Sequence, residues 1–412
     1  MNVLLLHHGD GNAGGGQVAM GRLRNGFKRI GMGARVLCRT TSLPDSIAIP
    51  SAPFRERIVG AFTKRIGLND IHLGGSGAIT KLREFQDADV LDIHCLHSET
   101  FSYLGLPGLT ASKPTVFSFH DMWPMTGHCH ASLECDRWKI GCGSCPHPET
   151  YPAVRRDATA IEWRLKKWAY DRSRFSIVAP SKWMCEMIQE SVFHGFPVHH
   201  IPHGVDLDVF MPLDQQECRR ELGIPEGKNV ILFAAESMLR PLKGADLLVD
   251  VLRFLPEEVR KNSVLLLFGQ SSPEIVNQVP MPVVDLGYLD CDRKKAVAYS
   301  AADLLLNTSR AEAFGLVVLE SIACGTPVVS FGVGGVRELV RTGITGLLAK
   351  LNDTRDLTAL TVEFFTNKER AVELASQCRK VALAEYSITL QVQRYRKVYQ
   401  LEIERHQAAR IP

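Results

Sequence analysis

Short apolar runs rich in Val, Leu and Ile alternate along this chain with longer stretches whose apolar residues recur every three to four positions. That alternation leaves little room for hairpins. Each strand-length run has to rejoin its sheet through a helical crossover, which makes the sheet parallel and covers both of its faces. In the first half the strand candidates are 3–7, 34–38, 90–94, 115–119, 176–179 and a short piece at 198–201. In the second half they are 229–234, 263–268, 283–286, 304–307, 327–330 and 346–349. Two sets in 412 residues predict two doubly wound α/β units, since a single core rarely grows that large. The break falls at Ile201-Pro202-His203-Gly204-Val205-Asp206, with Phe210 and Pro212 beyond it, and a last helix is expected over 388–407.

The composition excludes several classes. With 45% hydrophobic and 23% charged residues the chain is neither disordered nor fibrous. A formal charge of +3 gives no global field for nucleic acid, so none is expected as a partner. No apolar run reaches the length of a membrane span. The opening Met1-Asn2-Val3-Leu4-Leu5-Leu6 lacks a basic flank and stops at His7-His8, so it reads as a strand rather than a signal peptide. A cytoplasmic protein with mostly reduced cysteines is expected.

Open α/β sheets bind ligands beyond the carboxyl ends of their strands, so residues just after each strand carry the functional reading. After 304–307 comes Glu312-Ala313-Phe314-Gly315, and then a helical stretch containing Leu316, Val317 and Glu320. Gly315 permits close backbone approach, and a helix N-terminus favours an anion. The two carboxylates, eight residues apart, lie about 12 Å apart along a helix axis. One can therefore serve each end of an elongated ligand, although as an isolated pair they also fit a helix N-terminal charge and a solvated face. After 229–234, Arg240 and Lys243-Gly244 precede a helix and suit a diphosphate leaving group.

The stretch from Glu312 through Glu320, Gly325-Thr326-Pro327, Gly334-Gly335 and Glu338 to Gly346 resembles the Glu-x7-Glu region of family 4 retaining glycosyltransferases, which have the GT-B fold: two Rossmann-like domains facing a cleft. The resemblance implies that Glu320 holds ribose hydroxyls, that Glu312 sits beside the transferred sugar, and that Phe314 and the Gly315, Leu316 and Val317 amides meet the diphosphate. Arg240 and Lys243 match the family's basic pair, in a longer loop that brings them closer together. Gly269 and Tyr288-Leu289 are implied to wall the nucleobase, which turn glycines explain nearly as well. The implied domains are an acceptor unit over 1–205, a donor unit over 206–385, and a helix over 386–412 crossing back to the first.

In the first half, Gly14-Gly15-Gly16 opens the first helix after a loop that begins at Gly9. The glycines do not form a clean dinucleotide fingerprint. The resemblance puts them against the donor diphosphate or the acceptor, with a flexible turn as the plain alternative. His120-Asp121 after 115–119 matches a family His that contacts the donor sugar. His94 and His97 are further candidates on the acceptor side.

Four cysteines, Cys129, Cys135, Cys142 and Cys145, follow in a C-x5-C-x6-C-x2-C spacing over 129–145. Structural zinc, reduced packing thiols and disulfides all fit, and His128 or His130 can replace one thiolate. This segment resembles a bacterial exopolysaccharide, colanic-acid-type subgroup. Basic stretches at 54–71 and 155–174, the second with seven Arg/Lys and with Trp163 and Trp168, fit either a solvated surface or peripheral contact with anionic lipid.

The resulting expectation is a retaining transferase moving sugar from a nucleotide-diphosphate donor to a carbohydrate or lipid-linked hydroxyl in polysaccharide synthesis, with no catalytic cofactor. A GT-B nucleotide-sugar epimerase and a non-catalytic sugar-nucleotide or partner-binding module are the rivals.

Overall fold

The computed structural model describes residues 1–11, 14–74 and 76–409. The chain divides into two compact units: residues 1–202 together with the described residues from Gln391 onward, and His203–Leu390. The helix Ile388–Ala408 therefore begins in the second unit and continues in the first.

The first unit holds a seven-stranded sheet of β1 (Asn2–Gly9), β2 (Gly33–Thr40), β3 (Ile47–Ala48), β4 (Val90–Ile93), β5 (Thr115–Ser118), β6 (Ser176–Ala179) and β7 (Val198–His200), in the order β3-β2-β1-β4-β5-β6-β7. The second holds β8 (Asn229–Ser237), β9 (Ser263–Gln270), β10 (Val283–Asp285), β11 (Leu304–Asn307), β12 (Val328–Phe331) and β13 (Gly346–Ala349), in the order β10-β9-β8-β11-β12-β13. The strand pairs are parallel.

Alternation along β8 shows why this sequence needs helices on both sides. Val230, Leu232 and Ala234 enter one apolar cluster, while Ile231, Phe233 and Ala235 enter another. Both faces are dry, so the run is continuously apolar. In the first unit the C-terminal helix is keyed to the sheet by polar groups. Tyr399 Oη donates to Asp92 Oδ2 at 2.5 Å, and Tyr395 Oη lies 3.1 Å from Ser118 Oγ.

Where strand limits differ from the sequence reading they move by one to three residues, and two moves matter. β8 runs on past an irregularity to Ser237, and β9 to Gln270, so Gly269 lies inside a strand. Its φ is +119°, and an added Cβ would stand 1.6 Å from the Ala235 carbonyl oxygen. Close backbone packing alone therefore demands glycine there.

Candidate functional site

The second sheet reverses strand order between β8 and β11, so the loops leaving those two strands diverge and open a crevice at their carboxyl ends. The β8 loop carries Lys243 and the β11 loop carries Glu312. Their ammonium and carboxylate are directly paired, and Ser309 Oγ lies 3.3 Å from the same Glu312 oxygen. Thr308 and Arg310 hold the β8 loop against the end of β11. Thr308 Oγ1 donates to Gly244 O at 2.7 Å, and Arg310 reaches Pro241 O and Asp246 Oδ1, both at 2.8 Å. Gly244 has φ +67°, with the Thr308 carbonyl 2.0 Å from where a Cβ would sit, so the loop turns there only with glycine.

Past Glu312, Gly315 at φ +103° caps the helix Leu316–Ala323, and no side chain caps its first turn. The Leu316 and Val317 amides lie in that turn, at the positive end of the helix dipole. Phe314 is buried against His203, with ring centroids 5.0 Å apart. Glu320 is buried and accepts a hydrogen bond from Tyr299 Oη at 2.9 Å. Tyr288 is half exposed and Leu289 partly buried after β10. Arg240 stands apart from this group. Its guanidinium pairs with Glu236, four residues back near the end of β8, at 3.0 Å on partly exposed surface, so only Lys243 of the expected basic pair meets Glu312.

The first sheet reverses between β1 and β4, and imidazoles converge there. His94 Nδ1 lies 2.8 Å from His120 Nε2 with the rings stacked, and His94 Nε2 is 3.2 Å from Asp92 Oδ2, off the line of a hydrogen bond. Gly16 packs here: a Cβ on it would sit 3.5 Å from both His120 Cγ and His7 Nε2. The glycine-rich opening of the first helix and His120 are thus one site. Gly14, at φ +86°, precedes Gly15 at the helix start without a side-chain cap. Asn12 and Ala13 lie outside the described residues. Asp10 anchors this loop by accepting the Ser42 and Leu43 amides at 2.7 and 2.9 Å. Burial, and then the neighbouring His94 and His97, pull the His7 pKa down to about 3. His97 is paired with Asp121 at 3.0 Å.

Sequence reasoning missed His7, Asp92, Tyr299, Ser309 and Arg310. His7 carried a readable signal, since it closes the first apolar run at a carboxyl end. The segment with Cys129, Cys135, Cys142 and Cys145 holds free thiols, as all eleven cysteines do, which removes the disulfide alternative. Among the described residues no group of three or more His, Cys, Asp or Glu stands at metal-holding geometry. Lys166, one of the seven basic residues in the second basic stretch, is buried rather than on the surface. It donates to Trp123 O and Thr126 O at 2.9 and 3.0 Å.

A family model described as Glycosyltransferase Family 4 matches residues 13–209, and one described as Glycosyl transferases group 1 matches residues 214–381. The chain belongs to this glycosyltransferase family. It is 38% identical over 173 residues to D-inositol 3-phosphate glycosyltransferase of Geodermatophilus obscurus, covering 39% of this chain and 38% of that protein. It is 27% identical over 399 residues to the protein of the same name from Mycolicibacterium smegmatis, covering 90% and 83%. In three relatives of this name the matched stretch spans 38%, 40% and 53% of the relative's own length. Sucrose-phosphate synthase from Thermosynechococcus elongatus superposes with a TM-score of 0.70 at 19% identity, covering 97% of this chain and 99% of that one. Anabaena HepE in complex with UDP-glucose gives 0.70 at 17%, covering 97% and 100%. These likenesses show the fold, which is GT-B. These curated relatives are named D-inositol 3-phosphate glycosyltransferases, so they carry the family but not the narrower likeness to an exopolysaccharide subgroup.

Proposed function

We propose that this family member transfers a glycosyl group from a nucleoside-diphosphate sugar to a hydroxyl of a carbohydrate, polyol or lipid-linked acceptor, with retention at the anomeric carbon. The observation that carries the reading is the Lys243–Glu312 pair at the β8/β11 switch point, beside the uncapped start of the helix Leu316–Ala323. When the bond from the anomeric carbon to the diphosphate breaks, negative charge grows on the leaving phosphate. Lys243 and the first-turn amides are fixed where they stabilise it, which is how preorganised donors lower such a barrier. The acceptor oxygen then bonds to the anomeric carbon from the same face, and its proton passes to a departing phosphate oxygen. Glu312 orients the Lys243 ammonium at the sugar end, and Glu320, held by Tyr299, is assigned to the ribose. His120, held by His94, is assigned to the sugar on the first unit's edge.

Relatives named for inositol phosphate and a fold neighbour seen with UDP-glucose support a uridine-type donor and a polyol acceptor as the first to try. The Cys-rich segment is the motive for keeping polysaccharide precursors among the acceptors. The test is to incubate the chain with UDP-, GDP- and ADP-sugars, with and without inositol phosphate, and to measure released nucleoside diphosphate. Release from one donor that disappears in Lys243→Ala and Glu312→Ala supports the proposal. Failure of calorimetry to detect binding of any of these donors sinks it.

Peripheral membrane contact belongs to the same proposal. Along the helix Pro53–Arg65, Phe54, Ile58 and Phe62 recur at four-residue spacing and are 80%, 56% and 66% exposed. Exposed Arg55, Arg57 and Arg65 share that helix. An apolar stripe beside arginines fits an anionic lipid surface. Among the described residues no helix is long and apolar enough to cross a membrane.

A further inference from the structure

The segment between β5 and the helix Thr159–Tyr170 contains only two single turns of 3-10 helix, Trp123–Met125 and Arg137–Lys139. A connection this long and this irregular needs something other than apolar packing to hold it. Its four cysteines converge. Cys129, Cys135, Cys142 and Cys145 line one cavity of about 20 Å³ together with His128, Trp138 and Thr159. Cys129 is within electrostatic reach of Cys142 and Cys145, and Cys135 is within reach of the same two. A space of that size admits a single atom-sized guest.

The backbone is bent to bring the sulfurs there. Gly141, Cys142, Gly143 and Ser144 all have positive φ, at 140°, 52°, 96° and 47°. Two of these four are not glycine, and side-chain-bearing residues adopt that region at a cost of about 1–3 kcal/mol each, chiefly where function or ligation holds them. The turn aims Cys142 and Cys145 into one space. The Gly127 amide donates to Cys142 Sγ at 3.1 Å and so works against the burial that disfavours its thiolate. His128 has Nδ1 against the Pro152 carbonyl at 3.0 Å and Nε2 against Cys145 Sγ at 3.3 Å, so its ring is fixed behind that sulfur. Beneath the loop, the buried Lys166 donates to the Thr126 carbonyl, three residues before Cys129, within electrostatic reach of Glu162, Cys142 and Cys129.

We propose that Cys129, Cys135, Cys142 and Cys145 bind one zinc ion as a structural site, with His128 orienting Cys145 from behind. Four thiolates and no open position describe a closed, structural zinc. Binding draws the four sulfurs inward onto the ion, because they surround the cavity without yet standing at coordinating distance of a common point. The site staples the loop that leaves β5 directly after His120. It is independent of the transfer chemistry.

The test measures metal on the whole chain purified without chelator. Mass spectrometry should find about one zinc per chain, falling at least fivefold in Cys142→Ser and in Cys129→Ser, while His128→Gln keeps it. Since a serine variant can fail to fold, the wild-type chain is also stripped under reducing conditions and given Co²⁺ alone. Thiolate-to-cobalt charge transfer with intense tetrahedral bands is the expected result. Absent zinc, no such spectrum and four loop thiols that titrate readily in the native chain would overturn the site. Zinc retained in both serine variants would overturn the ligand set, as would loss of zinc in His128→Gln.

Discussion

His94 Nδ1 and His120 Nε2 lie 2.8 Å apart at the carboxyl ends of two neighbouring strands, with their rings stacked 5.1 Å between centroids. The contact fixes the direction in which His120 presents its ring, and it ties a residue after β4 to one after β5. His94→Phe keeps the stack and removes the nitrogen. One lost hydrogen bond of about 1.4 kcal/mol corresponds to a roughly tenfold fall in turnover. Steady-state kinetics with the donor found in the panel check this, and an unchanged rate would leave His94 a packing residue.

Lys243→Met preserves the aliphatic stem and removes the charge that meets the leaving phosphate. By analogy with removing one oxyanion donor, kcat should fall about 10²–10³-fold. Arg240→Met, whose parent pairs with Glu236 on the surface, should change kcat little. Comparable losses in the two variants would return Arg240 to the site.

Tyr399 reaches Asp92 across 307 residues of sequence and docks the last helix on the first sheet. Ser118 Oγ donates to the other Asp92 oxygen at 2.8 Å, so the carboxyl group depends on both hydroxyls. Tyr399→Phe leaves a buried polar group short of one partner, which costs about 1–3 kcal/mol. Denaturant unfolding of the first unit's transition checks the size, and a loss below a few tenths would mean that water replaces the hydroxyl.

This network also shows where the sequence stopped being readable. Parallel strands announce themselves because both faces are buried, and β6, β11 and β13 were bounded to the residue. β3 is only Ile47–Ala48, too short to show a period. Lys243 and Glu312 were singled out because each stands in the loop after a strand and before a helix, and the structure pairs their side chains. Arg240 was read with Lys243 from loop spacing, whereas in the structure its guanidinium pairs with Glu236, a partner that spacing does not encode. Lys166 looked like surface because its burial depends on carbonyls some forty residues upstream, which no local pattern encodes.

The Phe54, Ile58 and Phe62 stripe predicts partition onto anionic vesicles. Each large apolar side chain transferred from water contributes about 1.5–3 kcal/mol at full burial, so Phe54→Ser with Phe62→Ser should weaken binding at least about tenfold. High salt should weaken the remaining arginine-driven part. Cosedimentation with vesicles of anionic and of neutral lipid measures both, and equal binding by the double variant would remove the stripe from the interface.

His97 supplies the pH prediction. Burial disfavours its charged form, but the Cys95 sulfur and the Asp121 carboxylate outweigh that and hold its pKa well above the ordinary 6.5. Asp121, despite its own burial, is drawn below its ordinary 3.8 by His97. The raised imidazole contributes stability that is full below pH 6.5 and is lost as pH rises through the higher folded value. The lowered carboxyl contributes stability that is present above 3.8 and is lost as pH falls through its folded value. The pair is therefore intact across neutral pH, and His97 is an imidazolium there while His7, drawn down to about 3, is neutral. Long-range proton–nitrogen correlation spectra should show His97 doubly protonated at neutral pH, and Asp121→Asn should bring its titration back toward the ordinary range. A wild-type His97 that titrates near 6.5 would mean that the carboxylate does not hold the charge, and the His97–Asp121 pair would then be a contact between neutral imidazole and carboxylate.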